Sequence, residues 1–281
     1  MSDPEPSPDP RSIDALIARA VTGDASALRA VCERIQGPVY RLALRMLGHI
    51  ADAEDATQEI VIQVITRLAT FEGRSQLMTW VYTIASRHLL RTRARARETA
   101  RSAEALAAQL DAGMALARTA SALLPEEAPL LEKELRIECV HGMLLVLSRP
   151  ERLAFILTDV LGATDQIGAE ICEITPAAFR QRLARARAEM RPLLAERCGL
   201  ADPANPCRCA PQARAAHAAK LIHPTRLKFA RLEAEANVDL ARADQELGAL
   251  GRLGRVFDGE PLAAPRALWQ RLVGACPELL T

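Results

Sequence analysis

Phe179, Leu183, Ala186, Met190 and Leu194 follow one another at intervals of three and four residues. A helix drawn through them therefore carries a single apolar stripe. The rest of the stretch "TPAAFRQRLARARAEMR", Thr175 to Arg191, is basic. Arg180, Arg187 and Arg191 fall on one flank of the stripe, and Arg182 and Arg185 lie further round. No acids alternate with them along the helix, so pairs one turn apart do not neutralise it. The pattern predicts a helix seated on its own domain by the stripe and presenting positive charge elsewhere. A solvated helix face is the plain alternative, and the residues upstream decide between them.

Those residues are "ATDQIGAEICEI". They read as a short helix from about Asp165 to Cys172, a tight turn, and a second helix starting near Pro176, where proline loses no needed hydrogen bond. Ala169 supplies the small side chain where the two helices cross. Cys172, Ile174 and Phe179 supply apolar contacts between them. This is helix-turn-helix spacing. The turn position that takes a positive φ, often glycine, is Glu173, which a polar residue tolerates at some cost. In this geometry the second helix enters the DNA major groove by its N-terminal end. Ala177, Ala178, Arg180, Gln181 and Arg182 are then expected at base edges or the groove wall, since arginine pairs with guanine and glutamine with adenine. Arg185 and Arg187 are expected at phosphates.

The rest of the chain is also read as helical. Aromatic residues make up only 3% of its 281 residues, and no period-two runs bounded by turn pairs stand out. We expect an all-α protein of two small helical domains joined by a linker, with a helical C-terminal extension. Net charge is only +1, so an affinity for polyanions must come from local patches. The start, "MSDPEPSPDP", is acidic and proline-rich, and residues 1–11 are read as a disordered tail. Residues 12–97 form the first domain. Gly37-Pro38 is expected to interrupt its helical pattern and Gly48 to end a helix. Next comes a helix opening with Asp52, Glu54 and Asp55, acids that the helix dipole favours. A further helix from Thr79 to about Arg97 turns strongly basic in its second half. Residues 98–134 read as a linker with helical propensity, and residues 135–197 as the second domain. Residues 198–281 form the extension, with an amphipathic helix expected from about Pro224 to Leu247 and a short one near Pro265 to Val273. No apolar run is long enough to span a bilayer and no signal peptide is legible, so a cytoplasmic protein is expected.

Two separated segments, "DAEDATQEIVIQVITRLATFEGRSQLMTWVYTIA" and "LSRPERLAFILTDVLGATDQIGAEICEITPAAFRQRLARARAEM", together resemble the extracytoplasmic-function (ECF) sigma factors, initiation factors of bacterial RNA polymerase. The resemblance spans roughly Ser12 to Glu196. It implies a first domain that binds core polymerase and opens the −10 element, and a second that reads the −35 element. It also implies that Asp52, Glu54, Asp55, Gln58 and Glu59 lie on the polymerase-docking helix. Phe71, Gly73, Arg74 and Ser75 match the loop that captures a flipped base, and Trp80 is expected to be core. The helix after Trp80 departs from the family's pattern, hydrophobic-Tyr-Arg-Ile-Ala-Arg-Asn with an aspartate four residues on. Here Thr83, Ser86, Arg87 and Arg91 stand at the variant positions. Arg87, His88, Arg91 and Arg93 nevertheless supply the charge for −10 phosphates.

No catalytic motif is visible, so the chain is expected to be no enzyme, its partners being core RNA polymerase and promoter DNA. The extension sets it apart. Cys198, Cys207 and Cys209 cluster there, with His217 nearby. Three thiolates and an imidazole suit zinc or copper, a redox switch is a second possibility, and a proline-rich turn with incidental thiols a third. No cofactor is required for the sigma role itself. Control is expected either from an anti-sigma factor or from the extension. Two rivals remain open: a helix-turn-helix regulator acting without core polymerase, and a metal- or redox-sensing interaction protein. The first leaves the acidic-start helix and the block from Phe71 to Trp80 unexplained.

Overall fold

The computed structural model of the protein describes residues 12–92 and 102–229. Among them the chain is all-α, its extended pairing confined to an isolated bridge between Cys198 and Cys207. Helix α1 (Ile13–Val21) is capped by the Ser12 hydroxyl, which accepts from the Ala15 amide at 3.2 Å. Helix α2 (Ala25–Leu47) is capped by Asp24, whose carboxylate accepts from the Ser26 and Ala27 amides. Contrary to expectation, α2 runs unbroken through Gly37-Pro38. Proline removes one helical hydrogen bond, but Ile35, Val39, Tyr40 and Ala43 on either side are fully buried, and that packing holds the helix together. Gly48 then ends it in the left-handed region, φ 65°, as its position foretold. Helices α3 (Ile50–Arg67) and α4 (Leu77–Arg91) complete the first group, with Ile60, Val61, Val64, Val81, Ala85 and Leu89 in a shared core.

The stretch read as a linker carries helix α5 (Ala103–Leu116) and the first turns of α6 (Ala128–Leu144). Helix α5 packs through Ala103, Leu106 and Ala107. Helix α7 (Arg149–Phe155) continues as a wider turn over 156–160. Helices α8 (Asp165–Cys172) and α9 (Pro176–Leu194) follow with the boundaries the sequence suggested. The two groups share one continuous core. Arg152 of α7, only 1% exposed, joins them: its guanidinium donates to the carbonyls of Leu144 at 2.9 Å, Leu147 at 2.8 Å and Met46. Met46 lies in the last turn of α2, and Leu144 at the end of α6.

Beyond α9 the described part of the extension, residues 198–229, is seated on α5 and α6. Helix α10 (Cys209–Ala218) buries Ala213 and Ala216 with Leu131 and Ile222 in a second, smaller core. The buried Glu134 carboxylate accepts the amides of Lys228 at 2.7 Å and Phe229 at 2.9 Å. Phe229 sets its ring edge-on to His141, centroids 5.0 Å apart. Residues 224–229 form turns, so the helix expected from Pro224 does not begin there; its remainder, the terminal helix, residues 1–11 and residues 93–101 lie outside the described residues.

Two outcomes follow from this packing. Arg152→Met leaves three carbonyls without their charged donor and is expected to lower the unfolding free energy by about 3–5 kcal/mol in urea titrations. Burial, with Arg45 adding to it, pushes the His141 imidazole down to about 3. The folded state therefore refuses a proton that the unfolded chain takes up below its ordinary pKa of about 6.5. The neutral ring supports the fold fully above that pH, and the support declines as pH falls. Between pH 7 and pH 5 the loss is about 2 kcal/mol, and His141→Gln is expected to lack that component when the two proteins are unfolded at both pH values.

Candidate nucleic-acid interface

Two threonines set the helix-turn-helix. The Thr164 hydroxyl caps α8 through the Ile167 amide at 3.3 Å, and the Thr175 hydroxyl caps α9 through the Ala178 amide at 3.2 Å. Glu173 ends α8 in the left-handed region at φ 54°, as expected of the turn. Ala169 is buried at the crossing, but the tightest contact is its neighbour: a Cβ on Gly168 would stand 2.2 Å from the Phe179 ring. Phe179, Leu183, Ala186, Met190 and Leu194 are all buried, so the apolar stripe faces the domain.

The opposite side of α9 begins with Ala177, Arg180 and Gln181 exposed and Ala178 and Arg182 half-buried. Further along, the arginines are paired, though not with acids of their own helix. Arg187 makes a two-pronged contact with the buried Asp159, at 2.9 and 2.8 Å. That hydrogen bonding raises the Arg187 pKa against the effect of desolvation. Arg185 meets Glu151 at 3.0 Å, and Arg180 lies 3.9 Å from Asp165. The acids come from other elements, which a search along one helix does not see. Arg187 thus ties α9 to the turn after α7, while Arg180 and Gln181 stay exposed at the start of α9.

A cleft of about 670 Å³ runs between α3 and α4. Asp52, Asp55 and Glu59 line it with Arg67, facing Arg87, His88 and Arg91. Glu54 and Gln58, half-buried on α3, are not among its lining residues. His88 shares a hydrogen bond with Gln63 at 3.2 Å. Burial holds its pKa below the ordinary value, with Glu59 opposing the shift. In the following loop Phe71 packs on Trp80, centroids 5.4 Å apart, and both lie against the core. Arg74 is exposed and pairs with Glu72, and Ser75 is half-buried. Arg93 lies outside the described residues.

The two candidate DNA-binding units touch. The Ser86 hydroxyl of α4 donates to the Ile171 carbonyl of α8 at 2.9 Å, and the Arg87 guanidinium grips the Glu173 carboxylate with two nitrogens. Arg87 holds the Glu173 carboxyl below the usual carboxylate range. Arg149 of α7 donates to the carbonyls of Leu89, at 3.0 Å, and Thr92 at the end of α4. Ser86 and Arg87 are two of the positions where the sequence departs from the ECF pattern, and they meet α8 and its turn at this contact.

Residues 31–99 match the family model for Sigma-70 region 2, and residues 137–190 match that for Sigma-70, region 4. The chain is 30% identical over 183 residues to the ECF RNA polymerase sigma factor SigC of Mycobacterium tuberculosis (strain CDC 1551 / Oshkosh), covering 64% of this chain and 89% of that protein. The chain belongs to the ECF sigma factors. It is also 28% identical over 190 residues to the RNA polymerase sigma-H factor of Pseudomonas aeruginosa, covering 64% of this chain and 95% of that one. A solved structure, CnrH in complex with the cytosolic domain of CnrY, aligns at 21% identity and a TM-score of 0.45 over 66% of this chain and 98% of that one. As an ECF sigma factor the protein serves transcription initiation and is not an enzyme. Among the described residues no helix is long and apolar enough to cross a membrane.

The cysteines of the extension lie beyond both family matches. Cys198, Cys207 and Cys209 line one cavity, as their clustering in sequence suggested. Its fourth thiol is Cys139 of α6, which sequence reasoning missed; His217, the expected fourth ligand, stacks instead on His223, centroids 5.9 Å apart. Among the described residues no three His, Cys, Asp or Glu side chains stand as a ready coordination set. Burial pushes the Cys139 thiol up to about 12 and the Cys209 thiol up to about 11, so neither is an activated nucleophile. For the helix-turn-helix itself, Gly168→Ala is expected to drive the Phe179 ring from its seat. It should lower the unfolding free energy by about 1–3 kcal/mol, seen as a lower Tm.

Proposed function

We propose that this ECF sigma factor works in the cytoplasm, binding core RNA polymerase through the α3 face and directing it to promoters whose −35 element is read by α9. The observation that carries the reading is the helix-turn-helix with Arg180 and Gln181 exposed at the N-terminal end of α9, the end that meets base edges in such motifs. The cleft between α3 and α4 supports the companion role. Its acidic wall at Asp52, Asp55 and Glu59 suits polymerase docking. Its basic wall at Arg87, His88 and Arg91, together with the Phe71–Ser75 loop, suits the −10 strand.

Arg87 is engaged with Glu173, so using it on −10 DNA requires the α4–α8 contact to open. Regulation belongs to the same proposal. The segment 198–229, seated on α5 and α6, acts on the second unit from within the chain, whereas an anti-sigma protein would cover the faces of α3 or α9 that the segment leaves exposed.

The deciding experiment mixes the purified chain with bacterial core polymerase on a fragmented genomic template and maps transcription starts. Specific starts are expected, and none with core alone. At those promoters Arg180→Ala and Gln181→Ala are each expected to reduce output about tenfold and to relax preference at one −35 position. Absence of specific starts from a chain that remains folded would overturn the proposal.

A further inference from the structure

Four of the chain's seven cysteines meet at one place. They arrive from three elements: Cys139 from the middle of α6, Cys198 and Cys207 from the two sides of the isolated bridge, and Cys209 from the first turn of α10. The loop that brings them together is built rather than incidental. The buried Asn205 amide donates to the carbonyls of Leu194, Ala195 and Cys198, at 3.3, 3.0 and 3.1 Å, which fastens the loop to the end of α9. The Arg208 guanidinium donates to the carbonyls of Pro203, Asn205 and Cys207. Gly199 lies so close beneath that a Cβ there would stand 2.5 Å from the Cys207 carbonyl. The buried Gln212 amide, bonded to the Leu110 carbonyl at 2.6 Å, reaches the Cys207 sulfur at 3.6 Å.

We propose that Cys139, Cys198, Cys207 and Cys209 form a binding site for one thiophilic d10 cation, zinc(II) or copper(I), that fastens the extension to α6. Buried thiols also serve as small apolar side chains, but core packing gives no reason to gather four of them around one cavity of about 220 Å³. Soft thiolates in such a set are the donors that zinc(II) and copper(I) take. Binding requires the thiols to draw together from the cavity wall into a coordination set they do not form as they stand, and each ligating sulfur to give up its proton. The resulting negative charge lies beside Arg136 and Arg208, with Glu132 the opposing charge on the same wall. The inference stands apart from promoter recognition: Cys139 lies within the region 4 match, but Cys198, Cys207 and Cys209 lie beyond both sigma-family matches.

The test uses the full chain, stripped of metal under reductant and given zinc(II), cobalt(II) or, without oxygen, copper(I). One equivalent of zinc or copper per chain is expected after removal of excess by dialysis, and the stronger binder identifies the cation. If zinc binds, cobalt(II) should show sulfur-to-metal charge transfer and tetrahedral visible bands. Cys139→Ser and, separately, Cys209→Ser are each expected to weaken binding by at least about tenfold. His217→Ala and Cys172→Ser should leave it unchanged. Circular dichroism confirms that each variant is folded. Failure of the unaltered chain to hold either zinc or copper would overturn the proposal, as would folded serine variants that bind as well as the parent.

Discussion

A single buried guanidinium sets the geometry on which the rest of the molecule depends. Arg152 lies at the meeting of α2, α6 and α7 and donates to carbonyls at or just past the ends of two of them. The last carbonyls of a helix lack intrahelical partners and carry the negative end of its dipole. They are therefore suited to hold a cation that would otherwise be costly to bury. Because one planar group serves Met46, Leu144 and Leu147 together, it fixes where α2 ends relative to α6. From α7 the order passes through Asp159 to Arg187 and so to the angle of α9. The exposed start of α9 is thus held by charge contacts made well behind it.

How much of this could be read in the sequence depended on whether the deciding contacts were local. Helices α8 and α9 were legible almost to the residue, because each carries its own threonine cap and a periodic stripe that the fold buries. The break expected at Gly37-Pro38 was a sound local inference, overruled by long-range burial of α2. Helix α5 hides in an alanine-rich stretch where Ala103 and Ala107 face the core and similar alanines do not, a distinction that composition cannot make. At the candidate sites the split was the same. The exposed Arg180 and Gln181 followed from helical geometry. The pairing of Arg187 with Asp159, 28 residues away, did not, nor did the arrival of Cys139 beside Cys198, Cys207 and Cys209 from much further along the chain.

The segment 198–229 is integrated by polar bonds as much as by apolar burial. Asn205 draws the loop onto the end of α9, and Glu134 receives two consecutive amides at Lys228 and Phe229. Its core is small, with Ala213, Ala216 and Ile222 against Leu131, and apolar area of that size gives modest stabilisation. A segment held this way depends on the direction of its hydrogen bonds, and it adds an outer layer to the domain that carries α9.

Glu173 holds a left-handed backbone that a side chain with a Cβ adopts at a cost of about 1–2 kcal/mol. Its carboxylate is also the group that Arg87 grips from α4. Parting α4 from α8 would leave the backbone cost with the turn while losing the ion pair. The conformation of the turn and the association of the units are therefore thermodynamically linked, and by reciprocity whatever loosens one loosens the other. In this chain the three-residue connection between α8 and α9 doubles as a gauge of whether α4 rests against it.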